Sequence, residues 1–149
     1  MAIADMLDGL DLVHDFSYPE LEMIAGYLTH EEVGKGATIF AEGDPGDCML
    51  VVIDGRIAIY KGGEHGRQLL SNEMRGRIIG EMAMLDGERR SATCVAETDC
   101  ELLILTSANL RKMASEHPAT AYHFMFCLAR ILSRRLRRVS GMMADFLDS

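Results

Sequence analysis

The sequence predicts a mainly β domain: a small antiparallel barrel or sandwich with a helix before it and a long helix after it. Three observations predict this. From about residue 29 to 106, short β-branched and aliphatic runs alternate with glycine-rich turns, the texture of barrels and sandwiches. An apolar-periodic segment with a helix-start signature precedes them, and a much longer one follows. The 149 residues match the commonest size of one domain. No repeat or low-complexity linker divides them, so a single domain over 1–149 is expected.

In residues 1–28 the helix signal is "SYPELEMIAGYL". Ser17 and Glu20 have capping-box spacing, Pro19 suits a first turn, and Leu21, Ile24, Ala25 and Leu28 recur at helical spacing. Across 29–106 the strand runs are "ATIF", "CMLVVID", "RIAIY", "RQLL", "ATCVA" and "ELLIL". Turn chemistry separates them, and Asp54-Gly55 between two apolar runs predicts a hairpin. In 107–149, Thr106 and Ser107 cap a short helix and Pro118 opens another. From there Ala121, Met125, Leu128, Leu132, Leu136, Val139, Met143 and Phe146 step by three or four. The helix they predict is up to ~30 residues and ~45 Å long. That exceeds the span of a small barrel, so its distal half is expected to protrude with an apolar stripe.

Composition narrows the function. A net charge of -8 opposes non-specific nucleic-acid binding by the whole chain. No apolar run approaches the ~20 residues of a membrane span, and the acidic N-terminus is not a signal peptide. Cys48, Cys94, Cys100 and Cys127 form no CxxC pair. They are expected to be reduced, mostly buried side chains of a cytoplasmic protein. His14, His30, His65, His117 and His123 show no metal spacing, so no metal site and no cofactor are expected.

The stretch "GEMAMLDGERRSAT", residues 80–93, carries the chemistry. Gly80 lets a ligand approach the backbone. A helical turn from Glu81 to Leu85 would present free N–H groups to an anion. Glu81 has the wrong sign for an anion but accepts hydrogen bonds from neutral hydroxyls. Arg90 supplies a fork that matches phosphate oxygens. Ser91 adds a hydroxyl and Ala92 leaves room. A phosphate and a sugar hydroxyl at this separation describe a nucleotide, its base on the apolar barrel wall. The competing reading is a surface ion pair on a turn, worth less than about 1 kcal/mol.

With these residues the stretch resembles the phosphate-binding cassette of the cyclic nucleotide-binding domains, the family of the bacterial catabolite activator protein and the protein kinase A regulatory subunits. Gly80, Glu81, Ala83, Gly87, Arg90, Ser91 and Ala92 fall in register, as do Gly43, Asp44, Gly46 and Gly55 in "FAEGDPGDCMLVVIDGRIAIY". The resemblance covers nearly the whole chain. It implies an antiparallel β-barrel or jelly roll (a double-stranded β-helix) and a cyclic mononucleotide ligand. By resemblance Glu81 accepts the ribose 2′-hydroxyl. Arg90 pairs with the phosphate, helped by Ser91 and the backbone of Met82, Ala83 and Ala92. Ile59 and Leu70 line the base pocket. Serine at position 91 is what the bacterial cyclic AMP activator has, which points to cyclic AMP over cyclic GMP. The chain departs from the family in "RGRII", where Arg77 replaces an acid near the pocket mouth, and Arg89 adds a second arginine, expected to face solvent.

The resemblance also implies signalling through movement of the C-terminal helix, acting on an unidentified protein effector. The apolar stripe adds an expected homodimer contact. The arginines of "RILSRRLRR" are expected on the solvated face of that helix. No helix-turn-helix segment follows before Ser149, so no nucleic-acid partner is expected, and without a long apolar run no membrane partner is expected either. The alternatives are an interaction module that keeps the barrel without using a ligand, or a transcription regulator lacking its DNA-binding domain. No nucleophile–base pair is visible, so an enzyme is not expected. Arg90→Ala is expected to weaken nucleotide binding and leave the fold nearly intact.

Overall fold

A computed structural model describes residues 1–63 and 66–148, and no side chain is described for Phe146 and Asp148. His65, and the side chain of Phe146 in the predicted stripe, therefore lie outside the described residues. In order, the elements are α1 (Ile3–Leu7), a 3-10 turn (Asp11–Val13), α2 (Tyr18–Ala25), β1 (Thr29–Val33), β2 (Thr38–Phe40), β3 (Cys48–Asp54), β4 (Ile57–Gly63), β5 (Gly66–Glu73), β6 (Ile78–Ile79), α3 (Glu81–Asp86), β7 (Thr93–Ala96), β8 (Cys100–Thr106), α4 (Ser107–Glu116) and α5 (Pro118–Asp148). The eight strands form two four-stranded sheets, ordered β1-β8-β3-β6 and β2-β7-β4-β5. Every strand pairing is antiparallel.

The first sheet is the middle layer, and β3 shows why. Its "MLVVI" run is buried on both faces, so it reads as continuously apolar rather than alternating. Met49, Val51 and Ile53 join a cluster with Leu7, Leu12, Ile24, Phe124 and Leu128 of the helical layer. Leu50 and Val52 point the other way, into the barrel, against Ile57, Cys94, Ala96 and Leu102. The period-two pleat thus divides one strand between two cores.

The helix ends follow their chemistry. Ser17 and Glu20 make the reciprocal capping box of α2, and the Thr106 side chain accepts from Asn109 N at 3.0 Å at the start of α4. α5 is 31 residues long. Its proximal part docks through buried Ala121, Phe124, Cys127 and Leu128, while Leu136, Val139 and Met143 are exposed. Among the described residues, no helix is long and apolar enough to cross a membrane.

Two expectations change. Asp54-Gly55 does not close a hairpin, because β3 and β4 belong to different sheets. Gly55 instead packs against the Asp99 segment, where an added Cβ would lie 2.4 Å from Asp99 O, and Glu97 N donates to Arg56 O. The turn is a corner between sheets. The arginines of α5 are not uniformly solvated either. Arg130 pairs with Asp15, Arg134 with Asp11 and Arg135 with Glu81.

Candidate functional site

The cassette begins where β6 ends. Ile78 and Ile79 pair with Val51 and Leu50 of β3, which fixes the position of Gly80. Gly80 has φ 82°, and a Cβ there would lie 2.5 Å from Arg90 Nη1 and 3.0 Å from Phe40. Both the left-handed backbone and the space require glycine. The chain then turns into α3. Met84 N donates to Gly80 O, so the first-turn amides before it have no intrahelical acceptor.

Glu81 and Arg90 are buried, 6% and 5% exposed, which separates them from an ordinary surface pair. They do not pair with each other. Arg90 reaches back beneath α3: its Nη1 donates to Gly80 O at 2.9 Å and its Nη2 to Cys48 O at 2.7 Å. Its guanidinium lies 3.7 Å from the Phe40 ring centroid. Its Nε is buried with no hydrogen-bond partner, an uncommon and costly condition for a charged donor. The glycine-acid loop of residues 42–47 holds the backbone on the other side. Gly43 N donates to Arg90 O and Arg90 N to Asp44 O. A Cβ on Gly46 would meet Ala83 Cβ at 2.3 Å, which explains the second glycine of that loop.

Glu81 is held by the C-terminal helix. Its Oε1 accepts from Arg135 Nη1 at 2.9 Å, and Arg135 Nη2 donates to Ile78 O at 3.3 Å. Arg135 Nε is a second buried donor without a partner. Phe40, Ile59, Ile79, Cys94, Glu81, Arg90 and Arg135 are among the residues around a cavity of about 260 Å³, just below the ~300–1,000 Å³ range of small-ligand sites. One wall is apolar, the other carries the charges. Burial pushes the Cys94 thiol up to about 11, and Cys48 is also raised by burial, so both thiols are protonated at neutral pH.

Of the residues singled out in the sequence, Gly80, Glu81, Met82, Ala83, Arg90, Ser91, Ala92 and Ile59 come together around this cavity. Leu70 does not. It is 53% exposed on β5, an edge strand of its sheet, and is not part of the wall. Arg77 is tied to Glu73 at 2.7 Å, which neutralises the change of sign at the mouth. Arg89 is exposed and donates to Gly43 O at 2.9 Å, yet it also stands at the edge of this cavity rather than facing solvent alone. Phe40 and Arg135 are additions. Phe40 sits in a strand run with nothing local to mark it, and Arg135 is one of several arginines whose direction depends on how α5 docks.

A barrel whose cavity joins an apolar wall to a buried carboxylate, one buried guanidinium and a second, partly exposed one has the make-up of a small-molecule-binding domain. The chain belongs to the cyclic nucleotide-binding domain family, whose model matches residues 30–117. It is 31% identical over 134 residues, 88% of this chain and 59% of the relative, to the cyclic AMP receptor protein of Thermus thermophilus. Over 114 residues, 76% of this chain and 49% of the relative, it is 30% identical to a CRP-like cAMP-activated global transcriptional regulator of Mycobacterium tuberculosis. The chain thus spans about half to three-fifths of the length of these curated relatives. Its fold is similar to the crystal structure of a cyclic nucleotide-binding domain from Methylobacillus flagellatus, with TM-score 0.83, 28% identity, and coverage of 96% of this chain and 81% of that one.

Proposed function

We propose that this chain is a single regulatory domain that binds cyclic AMP in the cavity behind α3 and reports occupancy through α5. The observation that carries the proposal is the buried Arg90, its Nε without a partner, fixed beneath the amides of α3. An anion there satisfies the orphan donor and the first-turn amides together. The cyclic phosphate takes that place, with Ser91 and the backbone of Met82, Ala83 and Ala92 around it. Glu81 gives one oxygen to Arg135 and keeps the other for the ribose 2′-hydroxyl. The base lies along Ile59 and the neighbouring apolar wall. The relatives named for cyclic AMP support that ligand over cyclic GMP.

Arg135 supplies the physical link to output. It belongs to α5 yet holds a residue of the ligand site, so occupancy and the docking of α5 bias one another. Beyond it, Leu136, Val139, Met142, Met143 and Leu147 are exposed, an apolar surface that a second copy covers in a homodimer, or that a protein effector takes up. Neither catalysis nor a cofactor has a part in this account, and no nucleic acid or membrane is engaged by these residues. The protein acts in the cytoplasm, where four free thiols are stable.

Displacement of a fluorescent cyclic AMP analogue by unlabelled cyclic AMP, cyclic GMP and linear 5′-AMP tests the proposal. Cyclic AMP should displace best and 5′-AMP worst. Failure of any cyclic nucleotide to bind the folded protein would favour the ligand-independent interaction module.

A further inference from the structure

Away from the cavity, within the helical layer, three different donor types converge. Asp15 lies on the segment between the 3-10 turn and α2. His123 and Cys127 stand one turn apart on α5, on the same face of the helix. A carboxylate oxygen, a ring nitrogen and a sulfur from these residues all lie within 4.8 Å of one another. We propose that Asp15, His123 and Cys127 form a binding site for a thiophilic divalent transition metal, zinc by chemistry, that fastens the N-terminal segment to α5.

The donor set selects the metal class. Zinc takes thiolate, imidazole and carboxylate together, whereas calcium and magnesium take oxygen ligands. A tetrahedral site places its donor atoms roughly 3.3–3.7 Å apart at bond lengths of ~2.0–2.3 Å, so the cluster must contract by about 1 Å. Small side-chain rotations achieve this. The His123 ring is oriented by stacking on Phe16, with centroids 4.2 Å apart. Cys127 is only 3% exposed and fixed in the helix core. A water completes the coordination; His14, whose half-exposed Nε2 lies 3.0 Å from an Asp15 oxygen, stands outside the donor group and orients that carboxylate. As the metal–sulfur bond forms, the Cys127 proton leaves to solvent. No electron is transferred.

A cation already sits among these donors. Arg130 Nη2 donates to Asp15 Oδ2 at 2.8 Å and lies 3.6 Å from Cys127 Sγ. The Arg130 side chain is 46% exposed and lies against the Phe126 ring, so the guanidinium can swing out to water and a metal can take its place. Arg130 is therefore a competitor for the site. Cys127 is also two turns before Arg135. A metal that locks this part of α5 fixes the helix that holds Glu81. That last consequence rests on the nucleotide reading; the site itself does not.

The test uses the untagged, reduced 149-residue protein and cobalt(II) as a spectroscopic probe, with no nucleotide present. One equivalent of cobalt should give a sulfur-to-cobalt charge-transfer band and the visible bands of a tetrahedral centre, and zinc should bleach both. Even outer-shell partners of a metal change affinity by about tenfold or more, so Asp15→Asn and His123→Gln should each weaken binding by at least that factor. Cys127→Ser should abolish the charge-transfer band. Arg130→Ala should tighten binding several-fold. Cys127 is buried and its variant can lose the fold, so the Asp15 and His123 variants decide the matter, and tighter binding by Arg130→Ala supports it further. No charge-transfer band in the wild type, or a band indifferent to both Asp15→Asn and His123→Gln, overturns the proposal.

Discussion

Arg135→Ala removes the partner of a buried carboxylate. Glu81 is 6% exposed, and its contact with Arg135 is 2.9 Å. Breaking a fully buried pair costs ~3–5 kcal/mol. The Arg135 side chain is 27% exposed and faces a cavity that water can enter, which lowers the expectation to ~1–2 kcal/mol. At roughly 3 °C per kcal/mol for a chain of this length, the thermal midpoint should fall by about 3–6 °C. The decisive assay is a double-mutant cycle with Glu81→Gln, read by urea denaturation. Once Glu81 carries no charge, losing Arg135 should cost little, giving a coupling of ~1–2 kcal/mol. Hydrogen exchange along the part of α5 beyond Leu132 should quicken in Arg135→Ala, because Arg135 is a tether for that part of the helix. Strictly additive effects in the cycle, with unchanged exchange, would refute the claim that this pair joins helix to cassette.

The other predictions draw on neighbouring contacts. Arg90→Ala should weaken cyclic AMP binding by about 2 kcal/mol or more, roughly thirty-fold. It should also destabilise the fold by ~1–3 kcal/mol, because the part-buried oxygens of Gly80 and Cys48 lose their donors. The expectation of a nearly intact fold is therefore replaced, and binding must be measured on protein checked for folding by circular dichroism. For Cys94, burial holds the folded thiol protonated to about 11, against an ordinary value of 9.0. The unfolded state then binds fewer protons between those values, so stability should fall as pH rises from about 9 to about 11. Cys94→Ala should flatten that part of a urea-midpoint profile. Leu136→Glu with Val139→Glu should leave nucleotide binding in place and give a monomer by sedimentation. A wild type already monomeric at tens of micromolar, with and without cyclic AMP, would remove the homodimer from the account.

The cassette was legible because its residues are close in sequence. Gly80, Glu81 and Arg90 lie within one short stretch that resembles a family motif in register, although the 42–47 loop and Cys48 are also needed to hold Arg90 in place. The capping box of α2 and the Thr106 cap of α4 were local in the same way. Contacts made at long range were not legible. Glu81 meets Arg135 across 54 positions, and Arg135 differs in no local respect from the arginines beside it. Its direction is set by Ala121, Phe124 and Leu128 seating α5 on the helical layer. Leu70 shows the converse case: the family resemblance places it on the pocket wall, and the structure leaves it exposed. The β4–β5 pairing shifts register between Ile59 and Tyr60, and a slip of one residue moves a side chain to the other face. Strands β1 and β6 were missed individually because "THEEV" is polar at a sheet edge and "II" is only two residues long.

The central claim is that this cavity reads both the phosphate and the ribose of a cyclic nucleotide. Calorimetric titration of the wild-type protein with cyclic AMP, set beside 2′-deoxy-cyclic AMP, tests it most directly. A single saturable site is predicted for cyclic AMP. The deoxy analogue should bind more weakly by ~1.5–3 kcal/mol, the worth of a hydrogen bond to a charged group. Equal heats and equal affinities for the two ligands would contradict the role of Glu81, and no saturable heat with either would contradict the account of the cavity as a whole.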